Sequence, residues 1–534
     1  MLLKEAPSNA PSALHNPEPD PRTTPTGAEN QLAKLCAGCR QGHHRREPHS
    51  CQNRTMNHDT TFDIDAVIDA ARIALPDTQR ALVALARIPS IGADPVHRDD
   101  VVASAKMTVD LLVTHGLENV RILDLPGAHP SVLGEWMHAT SPDAATVLLY
   151  AHHDVQPPGV VANWTSDPFE PIERNGRLYA RGVCDDKAGV LAHAAAVKAW
   201  LDTHGSLPCN VKVFIEGEEE SGSPNLERFL TTYANDLKAD VFVLADAGQW
   251  KVGEPAITYM LRGLATIDVC LRALDGPVHS GIFGGVVPDP TICLAKLISS
   301  MVDEHNEIII EGFADDVRPL TDDERSRIIG LGSSAEANLR AAGARPGVRP
   351  CGDPAINAFE RLWAQPNLTI IGFDSHPLAG SSNQIVAAAT ARLSFRLAPG
   401  QDPQRAISTV LAHIAKHTPF GLDTTTTVHE AVPAWTTEPT GPAFEACARA
   451  LTKGFGVAPV NAGMGGSVPF VGPFVNTFGG IPALLIGPED PHSHAHGEDE
   501  SLHLDDWRKL IESEIHLLAE LATIPTEPRH NAAT

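Results

Sequence analysis

Apolar positions from Phe62 onward recur every three and four residues. Ile64, Val67, Ile68, Ala71 and Leu75 fall on one face of a helix, which Pro76 is expected to end. A second helix is expected with Leu82, Leu85 and Ala86 on one face and Pro89 as its stop. Short apolar runs then alternate with helical stretches. Thr146–Ala151 (TVLLYA), Val211–Ile215 (VKVFI), Val241–Ala245 (VFVLA) and Ala483–Ile486 (ALLI) read as buried strands, and Ala188–Leu201 as a buried helix. This alternation predicts an α/β fold with a sheet covered on both faces. Between about residues 260 and 428 the pattern changes. Ala265–Leu274 (ATIDVCLRAL) and Ala389–Leu397 (ATARLSFRL) alternate with period two, as half-exposed strands do, and helical stretches lie near 290–303 and 403–416. An α+β insertion with an antiparallel sheet is expected there.

Composition separates the first 55 residues from the rest. They hold seven prolines and no Val, Ile, Phe, Tyr or Trp, too little apolar surface to offset the entropy of ordering, so residues 1–56 are expected to be a disordered extension. Cys36, Cys39, His43, His44, His49 and Cys51 suggest a zinc knuckle, but no apolar residues surround them. The composition becomes ordinary at Met56, an alternative start of translation. Over all 534 residues, 41 Lys and Arg against 66 Asp and Glu give a net charge of −25, which disfavours nucleic acid as a partner. No apolar run approaches the ~18–20 residues that span a bilayer, and the start lacks the ~7–15-residue apolar block of a secretion signal. A soluble, cytoplasmic protein is expected, with its scattered cysteines as free buried thiols.

Acidic and imidazole groups follow the buried strands. His152, His153 and Asp154 follow the first, Asp185 and Asp186 precede a helix, Glu218, Glu219 and Glu220 follow the next strand, Asp246 ends another, and His492, His494 and His496 follow the last. Ligands of open α/β sheets bind beyond the carboxyl ends of strands, so a parallel sheet would bring these groups into one crevice. Converging carboxylates repel unless a metal joins them, and nitrogen and oxygen donors without thiolate suit Zn2+, Mn2+ or Co2+. A Gly-x-Ser-x-Gly elbow with a suitable triad is missing, and Gly463-x-Gly465-Gly466 lacks the spacing and lysine of a phosphate loop.

The motifs resemble those of carnosinase-type dipeptidases, within the aminoacylase and carboxypeptidase G family of two-metal peptidases. His152-x-Asp154-Val-Gln-Pro157 with Trp164 and Asp167-Pro-Phe-Glu-Pro171 is similar to the first family signature. Arg181-Gly182-x-x-Asp185-Asp186-Lys187 and Glu216-Gly-Glu-Glu219-Glu220-Ser-Gly222-Ser223 are similar to the second and third. His279-Ser280-Gly281-x-Phe283-Gly284-Gly285 resembles the lid motif, and Gly465-Gly466-Ser467-Val-Pro469 the substrate-carboxylate loop. The resemblance runs in order from about residue 80 to 510.

The resemblance implies a zinc-peptidase-like catalytic domain with a mixed, mainly parallel sheet over residues 57–260 and 428–525, a lid and dimerisation domain over 261–427, and a disordered tail over 526–534. It implies two divalent metals, Zn2+ first, with Asp185 bridging them, His152 and Asp246 on one, and Glu220 and His496 on the other. Asp154 is implied to orient His152, and Glu219 to act as general base on a metal-activated water and then as acid to the leaving amine. His279 is implied to stabilise the oxyanion from the partner subunit's lid, which calls for a homodimer. Arg396, Gly466, Ser467 and Asn383 are implied to bind substrate, and a cis peptide is expected at Asp185–Asp186. Asp499 stands before Glu500 where the family has Asn, and Met464 where carnosinases often have an acid. The expected reaction is hydrolysis of the amide bond of dipeptides. The alternatives are an N-acyl-amino-acid amidohydrolase and, in another class, a catalytically silent peptide-binding or scaffold protein.

Overall fold

The computed structural model describes residues 62–139, 144–332 and 334–524. The N-terminal extension 1–56, with its Cys and His cluster, and the tail 526–534 lie outside the described residues.

The predicted apolar runs form the centre of a nine-stranded sheet. Asn210–Glu216, Thr146–His152, Val241–Leu244 and Ala483–Leu485 lie side by side and parallel. Antiparallel strands extend it on both flanks: Ser131–Trp136 and Glu118–Leu123 on one, Ala256–Leu261 and Trp435–Thr436 on the other. Every residue of Thr146–His152 is buried, which is why that strand reads as an unbroken apolar run rather than an alternation. Successive residues feed two cores. Val147, Leu149, Ala151, Val213 and Val243 pack under the helices Ile64–Ala86, Lys187–His204, Pro442–Phe455 and Leu504–Leu521. Leu148, Tyr150, Phe214, Phe242 and Leu244 pack on the opposite face against Phe229, Phe470 and Phe474.

The two helices expected on either side of Pro76 are one helix, Ile64–Ala86. Proline removes one N–H from the ladder. Here Val67, Ile68 and Ala71 before it and Leu82 and Leu85 after it all sit in the same core, so packing carries the helix across. Thr78 Oγ1 also donates to the Ala74 carbonyl at 3.2 Å.

The insertion is antiparallel. Gly263–Arg272 lies between Ala388–Leu397 and Asp423–Val432, with Asn367–Asp374 as the outer strand. Helices Pro290–Ser299 and Pro403–His417 cover one face, burying Ile267, Val269, Leu297, Leu393, Phe395 and Val410. The other face carries Asp268, Arg392 and Arg396. Leu320, Ile328 and Trp363, although within the insertion, pack with Ala256, Tyr259 and Met260 of the main sheet rather than in the insertion's own core. Among the described residues, no helix is long and apolar enough to cross a membrane.

Candidate metal centre

The parallel strands end on one side of the sheet, and the candidate ligands gather there. His152 ends its strand, Glu219 and Glu220 sit in the short 3-10 turn after Asn210–Glu216, and Asp246 follows Val241–Leu244. His152 Nε2 lies 3.0 Å from Asp185 Oδ1, while His496 Nε2 lies 3.0 Å from Asp185 Oδ2 and 3.2 Å from Glu220 Oε2. The Asp185 carboxylate therefore turns one oxygen to each imidazole. His152 Nε2 is also 3.8 Å from Asp246 Oδ2 and 4.0 Å from Glu219 Oε2. Three sets of donor atoms each lie within 4.8 Å of one another: His152, Glu219 and Asp246; His152, Asp185 and Glu220; and Asp185, Asp246 and Glu489.

Local structure holds these groups in place. The Asp185–Asp186 peptide is cis, and the Asp186 carboxylate caps the following helix by accepting from Gly189 N at 3.1 Å. Glu500, fully buried, accepts from Gly182 N and Cys184 N at 2.9 Å, from Asp185 N at 3.2 Å and from Arg181 Nη1 at 2.6 Å. Arg181 Nη2 in turn donates to Gly497 O at 2.9 Å, so the Asp185 turn and the His496 loop are tied together. That loop bends through His494, His496 and Asp499 at φ of 55°, 62° and 56°. An aspartate tolerates the left-handed region better than most residues, and its carboxylate accepts from Thr165 N and Oγ1 at 2.9 and 2.6 Å. His152 Nδ1 lies closer to the Asp154 backbone carbonyl, at 3.0 Å, than to its Oδ1, at 3.6 Å. The Asp154 carboxylate accepts from Glu220 N at 3.0 Å, which fixes the Glu219–Glu220 turn.

Electrostatics show a site with too much negative charge. Burial pushes the Glu219 carboxyl well above its usual range, and the Asp246, Glu220 and Asp185 carboxylates add to this against the pull of His152. Burial likewise raises Asp246 to about 6. Against the cost of burial, hydrogen bonds to Asp185 and Glu220 push the His496 imidazole up to about 12. Asp185, also against burial, is held well below its usual value by its two imidazoles. Lys187, buried next door, points its ammonium at the Leu85 and Ile88 carbonyls instead, at 3.1 and 2.8 Å. An oxygen and nitrogen donor set with surplus carboxylates and no thiolate fits hard or borderline divalent cations.

The centre opens into a cleft of about 390 Å3, also lined by Leu264, Arg396, Glu430, Met464, Gly466 and Ser467. Arg396 Nη1 donates to Ser467 Oγ at 3.1 Å, and that hydroxyl donates to Arg262 O at 2.6 Å. Arg262, at the crossing into the insertion, holds the glycine loop with its side chain as well, donating Nε to Gly465 O at 3.1 Å. A second, more apolar cavity of about 580 Å3 shares Gly222, Val432 and Pro469 with the cleft. His279 and Asn383 stand apart. His279 pairs with Gln384 in a two-stranded ribbon, and Asn383 O accepts from Ser280 N at 3.0 Å. Both are exposed, and neither lines the cleft. His492, His494 and His496 are all exposed and stand outside these three donor sets; of the three, it is His496 whose ring nitrogen comes within 3.0 Å of Asp185 and 3.2 Å of Glu220. Glu489, Arg262 and Glu430 are not singled out from the sequence, and Glu500 enters there only as the motif residue after Asp499. Glu489 had a usable signal, since it follows the last buried strand just as the other acids follow theirs.

Residues 148–520 match the profile of peptidase family M20/M25/M40. The cysteinylglycine-S-conjugate dipeptidase of Corynebacterium striatum is 31% identical over 410 residues, covering 76% of this chain and 87% of that protein. The solved di-peptidase Dug1p from Saccharomyces cerevisiae superposes with a TM-score of 0.79 at 26% identity, covering 87% of this chain and 99% of that one. Human carnosine dipeptidase 1 gives a TM-score of 0.77 at 25% identity, covering 86% and 100%. The match over most of the chain, on a fold that gathers the acidic and imidazole groups at one sheet end, means that this protein belongs to peptidase family M20/M25/M40.

Proposed function

We propose that this chain is a metal-dependent dipeptidase that hydrolyses the amide bond of dipeptides with a free carboxylate. The observation that carries this reading is the Asp185 carboxylate, which offers one oxygen beside each of two imidazoles in the same cleft as Glu219 and Arg396. His152, Asp185 and Asp246 would hold one divalent ion, and Asp185, Glu220 and His496 the other, with Zn2+ first and Mn2+ or Co2+ as alternatives. Bound there, the ions would supply a more acidic water and a polarised scissile carbonyl. Glu219, whose carboxyl binds protons more readily than usual, takes the proton and returns it to the leaving amine. Asp154 holds the turn that carries Glu219 and Glu220. Arg396, with no carboxylate partner within 4.0 Å among the described residues, receives the substrate carboxylate together with Ser467 and the Gly466 backbone.

The lid, residues 261–427, makes a homodimer in this reading, on the main domain formed by 57–260 and 428–525. Its outer strand Asn367–Asp374 leaves Ile370, Ile371 and Phe373 exposed, and Ile282 and Phe283 are exposed beside His279. His279 and Asn383 then serve the cleft of the other subunit. Unpaired, buried Cys184, Cys209, Cys293 and Cys447 suit a reducing, cytoplasmic setting. The names of the relatives support dipeptides as substrates. A panel of free-amino dipeptides assayed beside N-acetyl and N-succinyl amino acids, with metal analysis of the same sample, tests the reading. Faster turnover of the dipeptides is expected. Turnover of the acylated amino acids alone would replace it with a deacylase.

A further inference from the structure

Six carboxylates line the cleft: Asp185, Glu219, Glu220, Asp246, Glu489 and Glu430. The first five belong to the metal-donor sets, and Glu430 does not. It stands on the lid strand Asp423–Val432, half-buried, with Oε2 accepting from Thr266 Oγ1 at 2.9 Å. No Lys, Arg or His nitrogen among the described residues lies within 4.0 Å of it, whereas nearby Asp268 has both Arg392 and His429. Arg396, in the same cleft, attracts Glu430 only from beyond ion-pair distance, so a half-buried carboxylate facing the substrate has room for a cation from the substrate at close range.

We propose that Glu430 recognises the free α-ammonium of the substrate and so sets the preference for dipeptides over acylated amino acids. This rests on the dipeptidase reading above and deepens it.

The register of the lid sheet gives the spacing. Glu430 pairs with Thr266, and Arg396 pairs with Leu264 on the same central strand. The two charges are thus two strands and two residues apart, roughly 12 Å between Cα atoms at ~4.8 Å per strand and ~3.4 Å per residue. A dipeptide spans about 7 Å between its termini. Side chains of opposite sign reaching in from that separation can bracket a zwitterion of that length, with its carboxylate at Arg396 and its ammonium at Glu430. Glu430 also stands beside the turn that carries Glu219, since a Cβ on Gly222 would lie 3.6 Å from its Oε1. Met464, before the Gly465–Ser467 loop, offers no competing charge.

The test uses glycyl-leucine and N-acetyl-leucine, which differ only by the ammonium. In the metal-loaded full-length enzyme, E430Q keeps an acceptor for Thr266 but loses the charge. It should lower kcat/KM for glycyl-leucine by roughly 10- to 100-fold, mostly through KM, consistent with loss of a charged hydrogen bond. The Ki of N-acetyl-leucine as a competitive inhibitor should stay within about twofold, on the same reasoning, and E430D should recover part of the loss. In the wild type, with no substitution needed, the KM of glycyl-leucine should rise as pH passes ~8, where an α-amine loses its proton, while the Ki of N-acetyl-leucine does not follow. Equal losses for both compounds in E430Q, or an unchanged glycyl-leucine KM, would overturn the role of Glu430. A wild type that cleaves no dipeptide would instead overturn the dipeptidase reading itself.

Discussion

Asp246 in the cleft and Asp268 on the lid are both aspartates among charged neighbours, and their carboxyls move in opposite directions. Arg392 donates to both Asp268 oxygens at 2.7 and 2.9 Å, and His429 lies 2.9 Å away, so the Asp268 carboxyl falls to about 2. Asp246 faces His152 but also Asp185 and Glu220, and burial raises it to about 6. The lid cluster balances its own charge and is complete as folded. The cleft gathers acids faster than bases, and a divalent cation would balance such an arrangement. Charge balance, rather than acidity, is what separates a structural cluster from a site built to hold something.

Three substitutions probe that contrast. The largest effect should come from Glu219→Gln, which keeps the shape and removes the proton acceptor. Turnover should fall by roughly 10^2- to 10^4-fold with metal content unchanged, and unimpaired turnover would take Glu219 out of the chemistry. The next concerns a balanced acid outside the metal-donor sets. Glu324 accepts from Arg318 at 2.9 and 2.7 Å and completes a capping box with Thr321, and these contacts lower its carboxyl to about 2. Glu324→Gln should cost about 1–3 kcal/mol in denaturant melts at pH 7. A depressed carboxyl stabilises above its ordinary pKa and loses that contribution as pH falls. The gap between wild type and variant should therefore narrow as pH drops from 4.5 towards about 2. A gap that persists at the acid end would contradict the assignment. Smallest of all, Asp268→Asn should cost under ~1 kcal/mol, because the pair is partly exposed, and should leave metal content and turnover as in the wild type. A loss of metal there would erase the distinction between the two clusters.

Much of this was readable from the chain. The central strands were legible because burial on both faces writes them as apolar runs, and the rule that ligands lie beyond strand ends then pointed to clusters of acidic and imidazole groups. The choice of His152, Asp185, Glu220, Asp246 and His496 within those clusters came from the family resemblance. Elsewhere the local signal misled or was silent. Pro76 looked like a helix end because its cost is local, whereas the core residues that outweigh it on both sides act through tertiary packing. Asp423–Val432, sequence DTTTTVHEAV, is largely exposed and carries no apolar run, so neither the strand nor the place of Glu430 on it stood out. Glu500 and Arg262 act by linking segments remote in sequence, and no spacing rule reports such a link.

Metal stoichiometry, measured by mass spectrometry on the dialysed full-length protein and on Asp185→Asn, tests the centre most directly. With one oxygen of Asp185 serving each side, the wild type should retain about two divalent ions per chain and the variant should lose at least one of them, as expected for a two-metal site with a shared ligand. A variant that keeps the full wild-type content, or a metal-free wild type that still cleaves a dipeptide, would contradict the account.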